Sequence, residues 1–279
     1  MEKILLAIDS QHMDANAIRF ACFLSRLTRS RLTGIFLDDL IVEEEVVIRQ
    51  TGGVPVIESV SIQEAPENDD QLTAKVENIT RFKEITEEEG IQAFVHLNKG
   101  VPANEIIAES RFADILIVDA ATSFSGIEEG TPTRFVKDIL QEAECPVIIS
   151  PDNFNGIDNI VFCYDGGKSS IFAMKQFSYL FPELRNTRAK VIDMNGADEF
   201  SEEARVAVTN WLKYHYSDVE PVTLEEDATT AFFDYLRKKR NDLVVMGAYG
   251  KGLLASFFGN GTEEESAGTT SLPIFIAHY

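Results

Sequence analysis

Hydrophobic positions along the chain alternate between short continuous runs and longer, spaced ones. "KILLAID", Lys3 to Asp9, is an apolar run closed by an aspartate, and "NIVFCYD", Asn159 to Asp165, repeats it 156 residues later. Each leads into a segment, "ANAIRFACFLSRL" and "SSIFAMKQFSYLF", whose apolar residues recur at three and four, as on one face of a helix. "RLTGIFLD" and "RAKVIDMN" read as the next strands. Later, "ADILIVDA" matches "NDLVVMGA" at an offset of 128, and "CPVIIS" matches "LPIFIA" at 127. The same elements recur in the same order, so the chain reads as a tandem repeat.

The pattern predicts strands near 3–8, 32–37, 92–97, 114–118 and 146–150, then near 159–164, 188–193, 218–223, 242–246 and 273–277. Helical patterns separate them. Continuous runs such as "DILIV" and "DLVVM" suit strands buried on both faces. The expected fold is α/β, with two doubly wound five-stranded parallel-sheet domains at 1–152 and 157–279. The turn-rich stretch "SPDNFNGIDN" divides them. The fall in offset places about 28 extra residues in the first half, in an excursion at 38–71 with a β-hairpin expected around "TGGVP". It reads as a lid or a dimer contact. The closing runs "PVIIS" and "PIFIA" read as sheet edges, which must be covered or paired.

Composition narrows the function. The formal net charge of −21 opposes nucleic acid and anionic membranes. The N-terminal apolar run is too short for a signal peptide, and no stretch approaches a membrane span. Cys22, Cys145 and Cys163 have no ligand spacing and read as buried free thiols in a reducing cytoplasm. The four histidines share no ligand spacing, and His12 follows Asp9 in the first strand–helix loop. Aromatic segments such as "FSYLF", "AFFDYLRKK" and the stretch around Trp211 read as helix core.

Candidate chemistry lies at the carboxyl ends of the strands, where open α/β sheets bind ligands. In the second half strand one ends at Asp165, before "GGKSS", and strand four ends at Gly247, in "GAYGKGLLASFFGNGT". Glycines admit close backbone approach, and a helix starting after Lys251 would aim its N–H groups at an anion. Lys168 and Lys251 add countercharge. Asp165 can accept hydrogen bonds from a base or ribose, or hold Mg²⁺. The spacing is neither a Walker A motif nor GxGxxG, and on spacing alone these are turn glycines.

The openings "ILLAID" and "IVFCYD", the stretch "GVPANEIIAESRFADILIVDA" and the closings "CPVIIS" and "LPIFIA" resemble the universal stress protein family in its tandem form. The resemblance implies an adenine nucleotide alpha hydrolase-like fold and a stress-response binding or signalling module with an ATP or related adenine nucleotide site. In nucleotide-binding members, Gly, two residues, Gly, nine residues, then Gly-Ser or Gly-Thr wraps the ATP. Gly247 and Gly250 match the first two glycines. Ten residues separate Gly250 from Gly261-Thr262, and eight separate it from Gly259-Asn260. The resemblance assigns Asp165 to the adenine end and Gly247 and Gly250, with the displaced Gly261-Thr262, to the phosphate loop, beside which Lys251 adds its countercharge. It also implies pairing of the last strands, here within one chain as a pseudo-dimer, with a further homodimer open.

In the first half Asp119 replaces the first signature glycine, Thr122 stands near the second, and Gly130-Thr131 is a remnant of the third. Asp119, with Glu128 and Glu129 nearby, opposes an anion, so this half is expected not to bind nucleotide. Asp9, Asp119 and Asp38 or Asp39 end neighbouring strands and read as solvated strand-end caps or as a weak Mg²⁺ site. No general base or nucleophile stands out, so catalysis is at most slow ATP hydrolysis. The alternative is a partner-binding or scaffold module without nucleotide. A true ATP-consuming enzyme rests only on fold analogy.

Overall fold

The computed structural model describes residues 1–39, 42–51, 54–64, 69–125, 129–194, 202–222, 228–248 and 272–277. Ten strands form one continuous sheet. From the first half come β1 (Lys3–Asp9), β2 (Arg31–Asp39), β5 (Phe94–Gly100), β6 (Ile115–Val118) and β7 (Val147–Ile149). From the second come β8 (Asn159–Tyr164), β9 (Arg188–Asp193), β10 (Val219–Val222), β11 (Asp242–Gly247) and β12 (Ile274–Ala277). The order across the sheet is β10-β9-β8-β11-β12-β7-β6-β1-β2-β5.

Each half therefore carries its first strand beside its second and fourth, all parallel. The two sets meet through β12 and β7, which run antiparallel with Phe275 opposite Ile148. The two apolar edges cover each other, as the sequence pattern requires.

The alternation of side chains along β1 sorts them to two cores. Ile4, Leu6 and Ile8 face one hydrophobic cluster, and Leu5 and Ala7 face the other. Both clusters run across the two halves. On the first face lie α1 (Ala15–Thr28), α2 (Asp69–Glu88), α5 (Lys168–Leu180) and α6 (Glu202–Lys213). On the second lie α3 (Pro102–Ser110), α4 (Arg134–Glu142) and α7 (Ala228–Arg237). The expected aromatic core is in place at Phe177, Phe181 and Phe232, which are buried, whereas Tyr179 and Tyr214 of the same segments are exposed. The connection between halves is anchored by Phe154, whose ring packs 5.0 Å from Phe20 and 4.7 Å from Phe23.

The first-half excursion forms an antiparallel pair, β3 (Val42–Thr51) and β4 (Val54–Glu64), in a sheet of its own. The expected hairpin is thus present, and the chain rejoins the fold through α2. Gly34 of β2 makes room for that helix: a Cβ there would lie 2.8 Å from the Phe82 ring, which packs edge-on against Phe36. All three cysteines are buried and free, and burial pushes the Cys22 and Cys145 thiols up to about 12. The helix expected after β11 lies outside the described residues.

Candidate functional site

The carboxyl ends of the sheet bring candidate site residues together in each half. In the second half β8 leads to Asp165, which is 4% exposed. Gly167 N–H donates to Asp165 Oδ1 at 2.9 Å, and Gly166 takes φ 72°, a value glycine adopts without cost. Gly167 then caps α5 through its backbone alone. Gly247, the last residue of β11, sits against the first turn of that helix. A Cβ on Gly247 would lie 2.5 Å from the Ser169 carbonyl carbon and Oγ and 2.7 Å from Ser170 N. The glycine is a packing requirement: it lets the positive end of α5 close onto the end of β11. The structure brings Asp165 and Gly247 to one mouth with Lys168. Gly250, Lys251, Gly261 and Thr262 lie outside the described residues.

The first-half mouth is built differently. Asp9 is 8% exposed; its Oδ1 accepts the Gln11 N–H at 2.8 Å and its Oδ2 lies 2.9 Å from Nδ1 of the exposed His12. The loop runs on to Asp14, which caps α1 by accepting the N–H groups of Asn16 and Ala17 at 3.0 and 3.1 Å. Asp119 follows β6, and its Oδ1 accepts the Ala121 N–H at 2.6 Å. Burial pushes the Asp119 carboxyl up to about 6, against the Ala121 hydrogen bond; the charges of Asp14 and Asp152 and a hydrogen bond with Asp14 push the same way as burial. Between β1, α1 and the loop following Asp119 lies a cavity of about 610 Å³.

Glu129 folds back onto the start of α4. Its carboxylate accepts the Ser123 hydroxyl at 2.6 Å and the Arg134 N–H, in the first turn of α4, at 2.7 Å. Hydrogen bonds from Ser123, Ser125 and Arg134 hold it down at about 2. The chain's own anion sits at the helix end where an external one would bind.

The alternative of a strand-end cation site is not assembled among the described residues. Asp38 is hydrogen-bonded to the Lys75 ammonium from α2, and the pair is largely buried. Among the described residues no group of three histidine, cysteine or carboxylate side chains is placed to hold a metal. Asp9 and Asp119 do line the same cavity.

Sequence reasoning missed three features: the cavity, the cap at Asp14, and the fold-back of Glu129. The cap had a signal. The spacing from Asp9 to "DANA" is longer than that from Asp165 to "GKSS".

No family model matches the chain. A universal stress protein of Methanocaldococcus jannaschii is 35% identical over 75 residues, 26% of this chain and 44% of the relative. The chain thus spans less than half the length of that curated relative. Among solved structures, a universal stress protein from Archaeoglobus fulgidus DSM 4304 superposes with a TM-score of 0.63 at 15% identity, covering 99% of this chain and 98% of that one. The chain has the universal stress protein fold. The resemblance read from the strand-opening and strand-closing runs is thus matched in sequence and in architecture. A functionally unknown protein from Pseudomonas aeruginosa PAO1 shares this universal stress fold, with a TM-score of 0.59 at 14% identity over 100% of this chain and 92% of that one. Among the described residues no helix is long and apolar enough to cross a membrane.

Proposed function

We propose that this chain is a universal-stress-type binding and signalling module, divided at 1–152 and 157–279, that holds an adenine nucleotide in its second half only. One observation carries the reading: the buried carboxylate of Asp165 stands at the end of β8, beside β11, where Gly167 caps α5 through its backbone alone. Such a mouth admits a ligand close to the main chain and sets the positive end of α5 near it. Asp165 would accept hydrogen bonds from the base or ribose. Gly250, Lys251, Gly261 and Thr262 would wrap the phosphates, with Mg²⁺ accompanying a bound triphosphate. Asp119 and Glu129 keep the first half from doing the same.

The test is nucleotide released by denaturing protein purified without added nucleotide, measured by anion exchange with mass detection. Stoichiometric ATP, ADP or AMP from the wild type, and none from Gly250→Asp, supports the reading. An empty wild type with no thermal shift in millimolar ATP sinks it.

That result would favour a partner-binding module instead. The end of the sheet supplies its surface: β5 is the terminal strand, with Phe94 and Leu97 exposed and Val101 exposed just beyond it.

A further inference from the structure

We propose that the first-half mouth binds a small organic cation: a primary amine with an apolar body, its ammonium set between Asp14 and Asp119. Two independent features of the chain build this site.

The first is space. The stretch from Asp9 to the α1 cap is longer than its second-half counterpart, and α1 packs less closely on β6 than α5 does on β11. The resulting cavity of about 610 Å³ falls within the ~300–1,000 Å³ range of small-molecule sites. Leu6, Ile8, Met13, Ala17 and Ile18 line it with apolar side chains.

The second is charge. Where the second half has Gly167 as helix cap and Gly247 as strand end, the first has Asp14 and Asp119. Both carboxylates line the cavity and approach each other closely enough to share a hydrogen bond. Asp9 lines it as well, and no lysine or arginine stands among the described lining residues. Facing carboxylates repel unless a proton or a cation lies between them. His12, the one cationic candidate among the described lining residues, is turned to Asp9 and exposed.

The ligand class follows from what the walls leave open. A phosphate would meet three carboxylates, and the α4 end is already taken by Glu129. Mg²⁺ needs about six oxygens at ~2.0–2.1 Å in octahedral array. Here both Asp14 oxygens accept α1 N–H groups and one Asp119 oxygen accepts Ala121 N–H. An ammonium needs only a few acceptors and brings a hydrophobic tail for the apolar wall.

The experiment is calorimetric titration of the full chain at neutral pH with phenethylamine and, separately, with phenylacetate, which carries the opposite charge on the same ring. Phenethylamine is expected to bind and phenylacetate to show no heat. Asp119→Asn, which keeps an acceptor for Ala121 N–H, should weaken the amine by about tenfold or more, and Asp119→Glu by much less. Absence of amine binding, equal binding of the acid, or an Asp119→Asn variant that binds like wild type overturns the proposal. The amine–acid contrast on wild type decides it even where a variant folds poorly. The nucleotide assay reads the other half, so the two proposals fail separately.

Discussion

From Asp165, the residue that follows β8, the chain needs two residues to reach the cap of α5 at Gly167. From the end of β1 it needs five to reach the cap of α1, from Asp9 to Asp14. The strands around the two mouths are laid in the same order. The short connection pulls its helix down onto the neighbouring strand end, and only glycine fits at Gly247. The long connection leaves its helix standing off, and the equivalent strand end carries the side chain of Asp119. One fold thus presents a backbone-walled mouth in one half and a carboxylate-walled cavity in the other. What separates them is a few loop residues and two exchanges between glycine and aspartate. A duplicated scaffold can diverge in ligand charge without altering its sheet.

The largest effect is expected from writing the first-half residue into the second half. In Gly247→Asp the new Cβ would lie 2.5 Å from the Ser169 backbone, which cannot move without unseating α5. A buried carboxylate adds its desolvation. We expect a loss of about 3 kcal/mol, read as a lower urea midpoint, together with loss of nucleotide. A wild-type midpoint would show that α5 does not close on β11.

The reverse exchange should stabilise. The Asp119 carboxyl is raised from 3.8 to about 6, so between those values the folded state binds its proton more tightly than the unfolded chain. Stability from this group is present below its ordinary value and is lost as pH rises through about 6. At pH 7 Asp119 therefore works against folding. Asp119→Asn should gain about 1–2 kcal/mol there, after allowance for partial solvation, and nothing near pH 4. Unfolding of both proteins across that range checks it. A difference that stays flat with pH would mean that Asp119 is as solvated as a surface carboxylate.

Much of this was legible in the chain. Continuous runs such as "DILIV" and "DLVVM" sit in β6 and β11, buried on both faces because helices cover both. Two closing runs read as edges needing cover, the family resemblance implied that they pair with each other, and β7 does pair with β12. Period and offset carry such features because they are properties of short segments. The site was less legible, because its decisive contacts join distant residues. Asp38 reads as a free strand end until Lys75 arrives from a helix 37 residues on. Gly247 reads as a ligand glycine, and its packing against Ser169 emerges only once β8 and β11 are neighbours. The remainder of the glycine stretch lies outside the described residues.

The smallest effect concerns Glu129, and it separates two reasons for a mouth to reject phosphate. One is the general acidity of Asp14 and Asp119; the other is occupation of the α4 N-terminus by the chain's own carboxylate. Glu129 is held at about 2, so its contribution to stability is present above its ordinary value of 4.5 and is lost as pH falls toward 2. It is nearly solvent-exposed, so that contribution is modest. Glu129→Ala should cost about 0.5–1 kcal/mol at neutral pH, the worth of one helix-end contact. Ser123 and the Arg134 N–H would then face solvent with no carboxylate between them. If occupation is the barrier, inorganic phosphate should raise the melting temperature of Glu129→Ala and leave wild type unchanged. If general acidity is the barrier, neither protein responds until Asp119 is also neutralised, and the double variant Glu129→Ala/Asp119→Asn is the first to show the shift.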